Sequence, residues 1–194
     1  MIKKICNEIY KITGSKGVNL YFLDLGNKVL VDTGDFLDRD MIVKDLSSVT
    51  RLDDIDTVIF TDLSYEQIGN FEIFKNARFY ASKQAIEDLQ SNKFNVILSN
   101  ILADSFNVEL HELNGNDMFS GLKIIWAPGH TRGSICIWYE KERMMFTGET
   151  MLDYNYHTHL EMPTSAADLF ESTLNDLEKY QIKILCPGRN PSYW

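Results

Sequence analysis

The sequence has little cysteine and little proline, and each scarcity excludes a class of protein. Its 194 residues include three cysteines, at positions 6, 136 and 186, and no CxxC pair. An odd number of widely spaced cysteines does not make the disulfide framework of a small secreted domain. Four prolines leave little room for a linker, and neither a repeat nor a low-complexity tract interrupts the chain. We therefore expect a single domain over residues 1–194.

Positive charge and long apolar runs are also scarce. Lys and Arg number 19 against 28 Asp and Glu, which gives a net charge of −9, and no Lys/Arg run gathers the cations locally. An acidic surface repels phosphate backbones, so we do not expect nucleic acid as a partner. No apolar run approaches the ~20 residues that span a bilayer. The first residues, MIKKICNEIYKI, carry Lys and Glu where a signal peptide needs an apolar core, which predicts a cytoplasmic protein without a membrane segment.

What the sequence does have is an ordinary globular composition, with 44% hydrophobic and 24% charged residues. Strand patterns come first as a meander, in NEIYKI, VNLYFLDL and KVLVDTG, and later alternate with helix patterns. Ser64, followed by Gln67 three residues on, predicts a capping box at a helix start. The order of elements predicts two sheets with helices packed outside them.

Five short segments carry a family resemblance, and each falls at the end of a predicted strand. They are VDTG at 31–34, VIFTDLSYEQIGN at 58–70, APGHTRGS at 127–134, MMFTGET at 144–150 and CPGRNP at 186–191. In this order they resemble the signature segments of the metallo-β-lactamase superfamily, from about residue 18 to residue 191. The resemblance implies an α/β (α+β) fold, a four-layer αββα sandwich of two mixed β-sheets flanked by helices.

The resemblance also locates a site, because in that family the same segments supply the ligands of two metal ions. Carried across, the HxHxDH positions and the three later ligand positions fall on Asp62, Ser64, Glu66, Gln67, His130, Glu149 and Arg189. His130 alone keeps the usual residue. Glu66 and Glu149 keep a carboxylate with one extra methylene group. These seven positions form the predicted site, with most metal ligands replaced.

The replacements disfavour two zinc ions. A catalytic zinc takes three protein ligands and a water, and the neutral hydroxyl of Ser64 is a poor ligand. The Arg189 guanidinium stays protonated, has no lone pair and repels a cation. We therefore expect no dinuclear zinc centre, and either no metal or one divalent ion (Zn, Fe or Mn). Arg189 is predicted to replace the lost metal charge through ion pairs with Glu66 or Glu149. Exposure to solvent at the end of the chain is the alternative.

A single metal would draw on Asp62, His130 and Glu149, two carboxylates and an imidazole. Glu66 and His130 are the catalytic candidates, with Glu66 as a base that activates water. Five further residues are predicted to line the pocket: Asp32, Tyr154, Tyr156, His157 and His159.

Three functions remain open from the sequence. The favoured one is a relative that lacks dinuclear zinc hydrolase activity and keeps the fold as a ligand-binding or interaction module. The second is a hydrolase with a reduced single-metal site. The third is metal-free chemistry using the acid cluster and Arg189. A small-molecule ligand or substrate and a second copy of the chain are the partners that the sequence leaves open.

Overall fold

The first sheet carries most of the chain. A computed structural model describes residues 1–114, 118–119 (backbone only), 121–155 and 158–190. Within these residues seven strands lie side by side in sequence order. They are β1 Ile2–Cys6, β2 Ile9–Thr13, β3 Asn19–Asp24, β4 Lys28–Val31, β5 Thr57–Ile59, β6 Arg78–Ser82 and β7 Leu110–Leu113. Strands β1 to β4 pair antiparallel, and β4 to β7 pair parallel.

Helices occupy the connections between the parallel strands, because a parallel pair needs a crossover. α1 lies between β4 and β5, α2 between β5 and β6, and the next three helices between β6 and β7. Their bounds are α1 Arg39–Ser47, α2 Tyr65–Ile68, α3 Lys83–Ser91, α4 Lys93–Ile97 and α5 Asn100–Ser105.

The second sheet has five strands in the described residues, in the order β12-β11-β10-β9-β8. Strands β8 to β11 are antiparallel neighbours, whereas β12 pairs parallel with β11 after a connection that contains α6, Ala167–Leu177. The bounds are β8 Met118–Phe119, β9 Leu122–Trp126, β10 Ile135–Tyr139, β11 Met144–Gly148 and β12 Ile184–Pro187.

Three apolar interfaces separate four layers. One packs the first sheet against its helices, with Ile42, Leu46 and Phe60 fully buried. A second, which includes Tyr21 and Phe146, fills the space between the two sheets. The third packs Trp138 and its neighbours on the second sheet against Leu177 of α6. The predicted αββα sandwich of two mixed sheets is confirmed.

Two local features differ from the sequence prediction. The N-terminal residues form an additional strand, β1, which turns into β2 through Asn7 at a φ of 25°. Ser64 occupies the N-cap position of α2, but its side chain makes no capping bond to the backbone, so the capping-box prediction was wrong. Its hydroxyl bonds to the Gln67 side chain instead.

The three cysteines are free, and Cys136 and Cys186 are buried in the apolar layers. Among the described residues, no helix is both long and apolar enough to cross a membrane.

The fold brings the five signature segments to one edge. β4, β5, β11 and β12 end next to Asp32, Asp62, Glu149 and Arg189, while His130 lies in the turn from β9 to β10. At this edge one backbone hydrogen bond joins the two sheets, from Asn19 N–H to the Gly188 carbonyl at 2.7 Å. A second, from Gly188 N–H to the Gly148 carbonyl at 2.6 Å, joins the ends of β12 and β11 within the second sheet. Residues far apart in sequence therefore share one site.

Candidate functional site

Asp32 supports the site from below. Its carboxylate accepts bonds from the backbone N–H and the hydroxyl of Thr61, each at 2.8 Å. Asp32 itself lies in the left-handed region, at a φ of 61°. Burial and the neighbouring Asp62 carboxylate raise the pKa of Asp32 well above its ordinary value. This arrangement fixes the end of β5, from which Asp62 follows, and it makes Asp32 a support residue and not a pocket wall.

Asn70 holds the VDTG loop, a role that the sequence did not predict. Its side-chain amide donates to the carbonyls of Thr33, Gly34 and Asp35 at 2.9, 3.2 and 2.9 Å. The residue is fully buried, and Arg39 donates to its amide oxygen at 3.4 Å. The asparagine that ends the second signature segment thus anchors the first segment.

The segment after β5 places three of the predicted positions in one chain of polar contacts. Asp62 Oδ1 accepts a bond from the Ser64 backbone N–H at 2.8 Å. The Ser64 hydroxyl donates to the Gln67 amide oxygen, and Gln67 Nε2 donates to Glu149 Oε1 at 3.3 Å. Asp62 Oδ2 is buried without a hydrogen-bond partner among the described residues. Ser64 and Gln67 are therefore bonded to protein groups, and one oxygen of Asp62 remains available.

Glu149 lies at the centre of the site and is almost fully buried. Burial and the Asp62 carboxylate raise the pKa of Glu149 to about 7, although the hydrogen bond from the Gln67 side chain favours the ionised form. Its second oxygen, Oε2, is 4.0 Å from His130 Nε2. The carboxyl group can therefore hold a proton near neutral pH inside a cluster of acids.

His130 is fixed by the loop that follows β11. The His130 Nδ1 lies 3.0 Å from the His159 carbonyl oxygen. The Ser165 hydroxyl donates to the backbone carbonyl of His130 at 2.8 Å. The hydroxyl of Thr158 donates to the Glu149 carbonyl at 2.5 Å. When Nδ1 carries the proton, the bond to His159 leaves Nε2 as the acceptor that faces Glu149.

Arg189 forms the ion pairs that the sequence predicts. Its Nη2 donates to Glu66 Oε2, and its Nε lies 3.6 Å from Glu149 Oε1. Tyr65, which the sequence analysis missed, donates its hydroxyl to the other oxygen of Glu66 at 3.0 Å. Burial lowers the pKa of Arg189 from a very high ordinary value. The Glu66 carboxylate thus has partners on both oxygens, an arrangement that disfavours a role as a base.

The other predicted pocket residues are spread over the loop after β11. His159 contacts the His130 ring through its backbone carbonyl. Burial and the neighbouring His130 lower the pKa of the His159 ring. Tyr154 is exposed, and its hydroxyl is 3.5 Å from the carbonyl of Lys183, which precedes β12. Arg189 follows the opposite end of that strand, so Tyr154 lies away from the motif residues. Tyr156 and His157 lie outside the described residues.

The site is closed. The side chains of His130 and Glu149 are 4% and 3% exposed, and those of Glu66 and Arg189 are 11% and 15% exposed. Within the described part of the chain, no group of three or more His, Cys, Asp or Glu residues is arranged to hold a metal ion. The seven positions form a packed polar cluster.

Comparison with known proteins identifies the family. The model of the metallo-β-lactamase superfamily matches residues 14–189. A probable metallo-hydrolase of Methanocaldococcus jannaschii is 34% identical over 121 residues, which cover 58% of this chain and 46% of that protein. A second probable metallo-hydrolase of that organism is 26% identical over 181 residues, 88% of this chain and 85% of that protein. A crystal structure of TTHA1623 in a di-iron-bound form superposes with a TM-score of 0.72 at 16% identity and covers 93% of this chain and 92% of that one.

This chain belongs to the metallo-β-lactamase superfamily, a family of metallo-hydrolases whose members typically bind divalent metal ions. It spans less than half of the first of the two archaeal relatives and most of the second.

Proposed function

We propose that this protein lacks a dinuclear metal centre and acts as a ligand-binding or interaction module on the metallo-β-lactamase fold. One observation carries the proposal: the guanidinium of Arg189 contacts the carboxylates of both Glu66 and Glu149. These are three of the positions from which the family ligates its metals. A permanent cation there neutralises the acids and repels a metal ion.

The donor set does not fit two metal ions. Arg189 has no lone pair, and the Ser64 hydroxyl and Gln67 amide are bonded to each other. The second metal position would therefore offer Glu66 and Gln67, both engaged by protein groups.

Metal content tests this proposal directly. The chain is produced without a histidine tag in medium supplemented with zinc, iron and manganese, and bound metal is measured by mass spectrometry. We expect less than about 0.1 metal per chain, because the Arg189 charge opposes binding. Two metals per chain, lost on exchanging His130 for Ala, would refute the proposal. The variant His111→Ala is the control, since His111 lies on the edge strand β7, with its ring 5.2 Å from the Tyr80 ring on β6, away from the site.

A second candidate, a hydrolase with a single-metal site, is favoured by one observation. Asp62 Oδ2 is buried without a partner among the described residues, and a lone buried carboxylate oxygen is costly unless something binds it. Asp62, His130 and Glu149 would hold the ion, which would supply a bound water of lowered pKa. His130 Nε2 and Glu149 Oε2, 4.0 Å apart, are slightly wider than the ~3.4 Å expected for two ligands of one tetrahedral zinc.

Calorimetric titration of metal-free protein distinguishes the two candidates. Saturable binding of one Zn²⁺ or Mn²⁺ per chain, abolished in Asp62→Asn, would favour the hydrolase and justify a screen of ester and thioester substrates. Heat of dilution alone would favour the module. Asp24→Asn serves as the matched control, because Asp24 lies at the opposite end of β3 from the site.

A further inference from the structure

An open cavity of about 220 Å³ lies beside the closed site. One wall is helical and comes from the end of α3 and from α4, with Asp88, Asn92 and Asn95. The other wall consists of two loops, which contribute Arg132 and Ser165. The cavity adjoins the segment that carries His130, so a small molecule bound there would lie beside the closed site.

The cavity is tied to the motif residues through its loop wall. Ser165 donates its hydroxyl to the carbonyl of His130 at 2.8 Å, and Arg132 N–H donates to the Thr164 carbonyl at 2.8 Å. On the other side, the Ser82 hydroxyl at the start of α3 donates to the Gly133 carbonyl at 2.5 Å. Both walls are therefore held in place by the segment that carries His130.

Each wall presents one charged group with unused bonding capacity. The nearest acid to the Arg132 guanidinium is Asp168, 3.8 Å away, and both side chains are substantially exposed, so this pair is weak. Among the described residues, the Arg132 side chain donates no hydrogen bond within 3.5 Å. Asp88 accepts one bond, from Gln84 Nε2 to its Oδ1 at 2.9 Å. Its second oxygen has no hydrogen-bond donor among the described residues, so it can accept from a ligand.

We propose that this cavity binds a small zwitterion of the free amino-acid type, with its carboxylate on Arg132 and its ammonium group on Asp88. The inference rests on the proposed ligand-binding function and names its ligand class. A planar guanidinium matches a carboxylate in two parallel hydrogen bonds, while a carboxylate accepts from an ammonium group. The amides of Asn92 and Asn95 provide neutral hydrogen-bonding groups on the same wall.

Charge and size both support a zwitterion. One positive and one negative wall neutralise a ligand that carries both charges, whereas a simple anion would meet Asp88 and a simple cation would meet Arg132. The cavity, of about 220 Å³, has room for a ligand of the size of a free amino acid.

The test uses the full chain, labelled with ¹⁵N and titrated with L-serine up to about 50 mM while amide shifts are recorded. We expect a dissociation constant of order 1 mM, with shifts centred on Asn92 and Arg132. Arg132→Gln and Asp88→Asn should each weaken binding about tenfold or more, because each removes one charged contact. Arg51→Gln is the control, since Arg51 is exposed and lies outside this cavity.

Three results would overturn the inference: no saturable shifts with L-serine, shifts that persist unchanged in Arg132→Gln, or equal affinity for acetate or methylammonium alone. Thermal unfolding of each variant establishes that it is folded. Metal content is measured on the same samples. Two bound metals per chain together with L-serine binding would refute the proposed function alone, whereas metal-free protein that does not bind L-serine would refute only this inference.

Discussion

Two sets of residues at the site make different kinds of contact. The support, Asp32 and Asn70, lies around the site, and the filling consists of the seven motif side chains within it. In the support, polar groups meet backbone partners: Asp32 accepts from Thr61, and Asn70 donates to three carbonyls of the VDTG loop. In the filling, side chains also meet one another, as Arg189 does with Glu66 and Ser64 does with Gln67. Two buried atoms there, Asp62 Oδ2 and Arg189 Nε, lack hydrogen-bond partners among the described residues.

This difference teaches how a metal site can change while its fold remains. The support residues bind loop backbone, so their contacts do not depend on what occupies the site. The filling depends on charge balance, and a cationic side chain can provide the balance that metal ions would otherwise give. Substitutions in the support and in the filling should therefore have different effects on stability.

The largest effect is expected in the support, from Asn70→Ala. The buried carbonyls of Thr33 and Gly34 lose their donor, whereas the Asp35 carbonyl keeps the Asp38 N–H. Unsatisfied buried groups cost about 1–3 kcal/mol each, so we expect a loss of roughly 3–4 kcal/mol in the free energy of unfolding. Urea denaturation measures it. Asn76→Ala removes a single exposed bond to the Asp53 carbonyl and should cost less than about 0.5 kcal/mol. Equal losses in the two variants would contradict the assigned role.

In the filling, Arg189→Met should lower the free energy of unfolding by about 2–3 kcal/mol at neutral pH, because it leaves two carboxylates without their cation. This figure is below the full loss for a buried pair, since the groups are slightly exposed. Adding Glu66→Gln should recover part of the loss. Arg51→Met, on the exposed surface, is the control. An unchanged unfolding temperature in Arg189→Met would show that the ion pair does not replace a metal charge.

The pH dependence comes next. Glu149 titrates near 4.5 when unfolded and near 7 when folded, so the folded state binds the proton more tightly. The stabilisation from this proton is fully present below pH 4.5 and is lost as the pH rises through 7, a change of about 3 kcal/mol in the free energy of unfolding. Glu149→Gln should flatten this slope in urea unfolding measured between about pH 5 and 8. The raised pKa of Asp32 acts in the same direction and should leave a residual slope. A full slope in the variant would assign the proton elsewhere.

The smallest effect is expected from Ser64→Ala, about 1 kcal/mol, because one neutral hydrogen bond to Gln67 is lost. Ser82 is the comparison. It caps α3 by accepting from Ala85 N–H and also donates to the Gly133 carbonyl, so Ser82→Ala should cost more, about 2 kcal/mol. Thermal unfolding of both variants gives the order, and the reverse order would restore a capping role for Ser64.

Much of the fold could be predicted from the sequence because its signals are local or modular. Strand and helix patterns and the order of five segments were enough to predict two sheets with outer helices. The strand β1 was missed because the turn at Asn7 and Glu8 lacks the glycine that marks the turns from β2 to β3 and from β3 to β4. The capping-box prediction at Ser64 was wrong because the spacing of Ser64 and Gln67 fits both a capping box and a hydrogen bond between the two side chains.

In the site, residue chemistry could be predicted and contacts only in part. Arg189 cannot bind a metal ion in any fold, and that alone made ion pairs with Glu66 or Glu149 the natural expectation. Tyr65 and Asn70 were missed because nothing in their neighbourhood marks them. Their partners, Glu66 and the VDTG loop, are recognised only from side-chain direction in the folded chain.

The sequence by itself determined the family, the common edge of the sheets and the types of chemical group gathered there. The tertiary structure decided that the site is closed, that Glu66 is engaged on both oxygens and that an open cavity lies between Asp88 and Arg132. The reason is physical. Residue type fixes charge and bonding capacity, whereas burial and contact between positions as distant as Glu66 and Arg189 depend on how the layers pack.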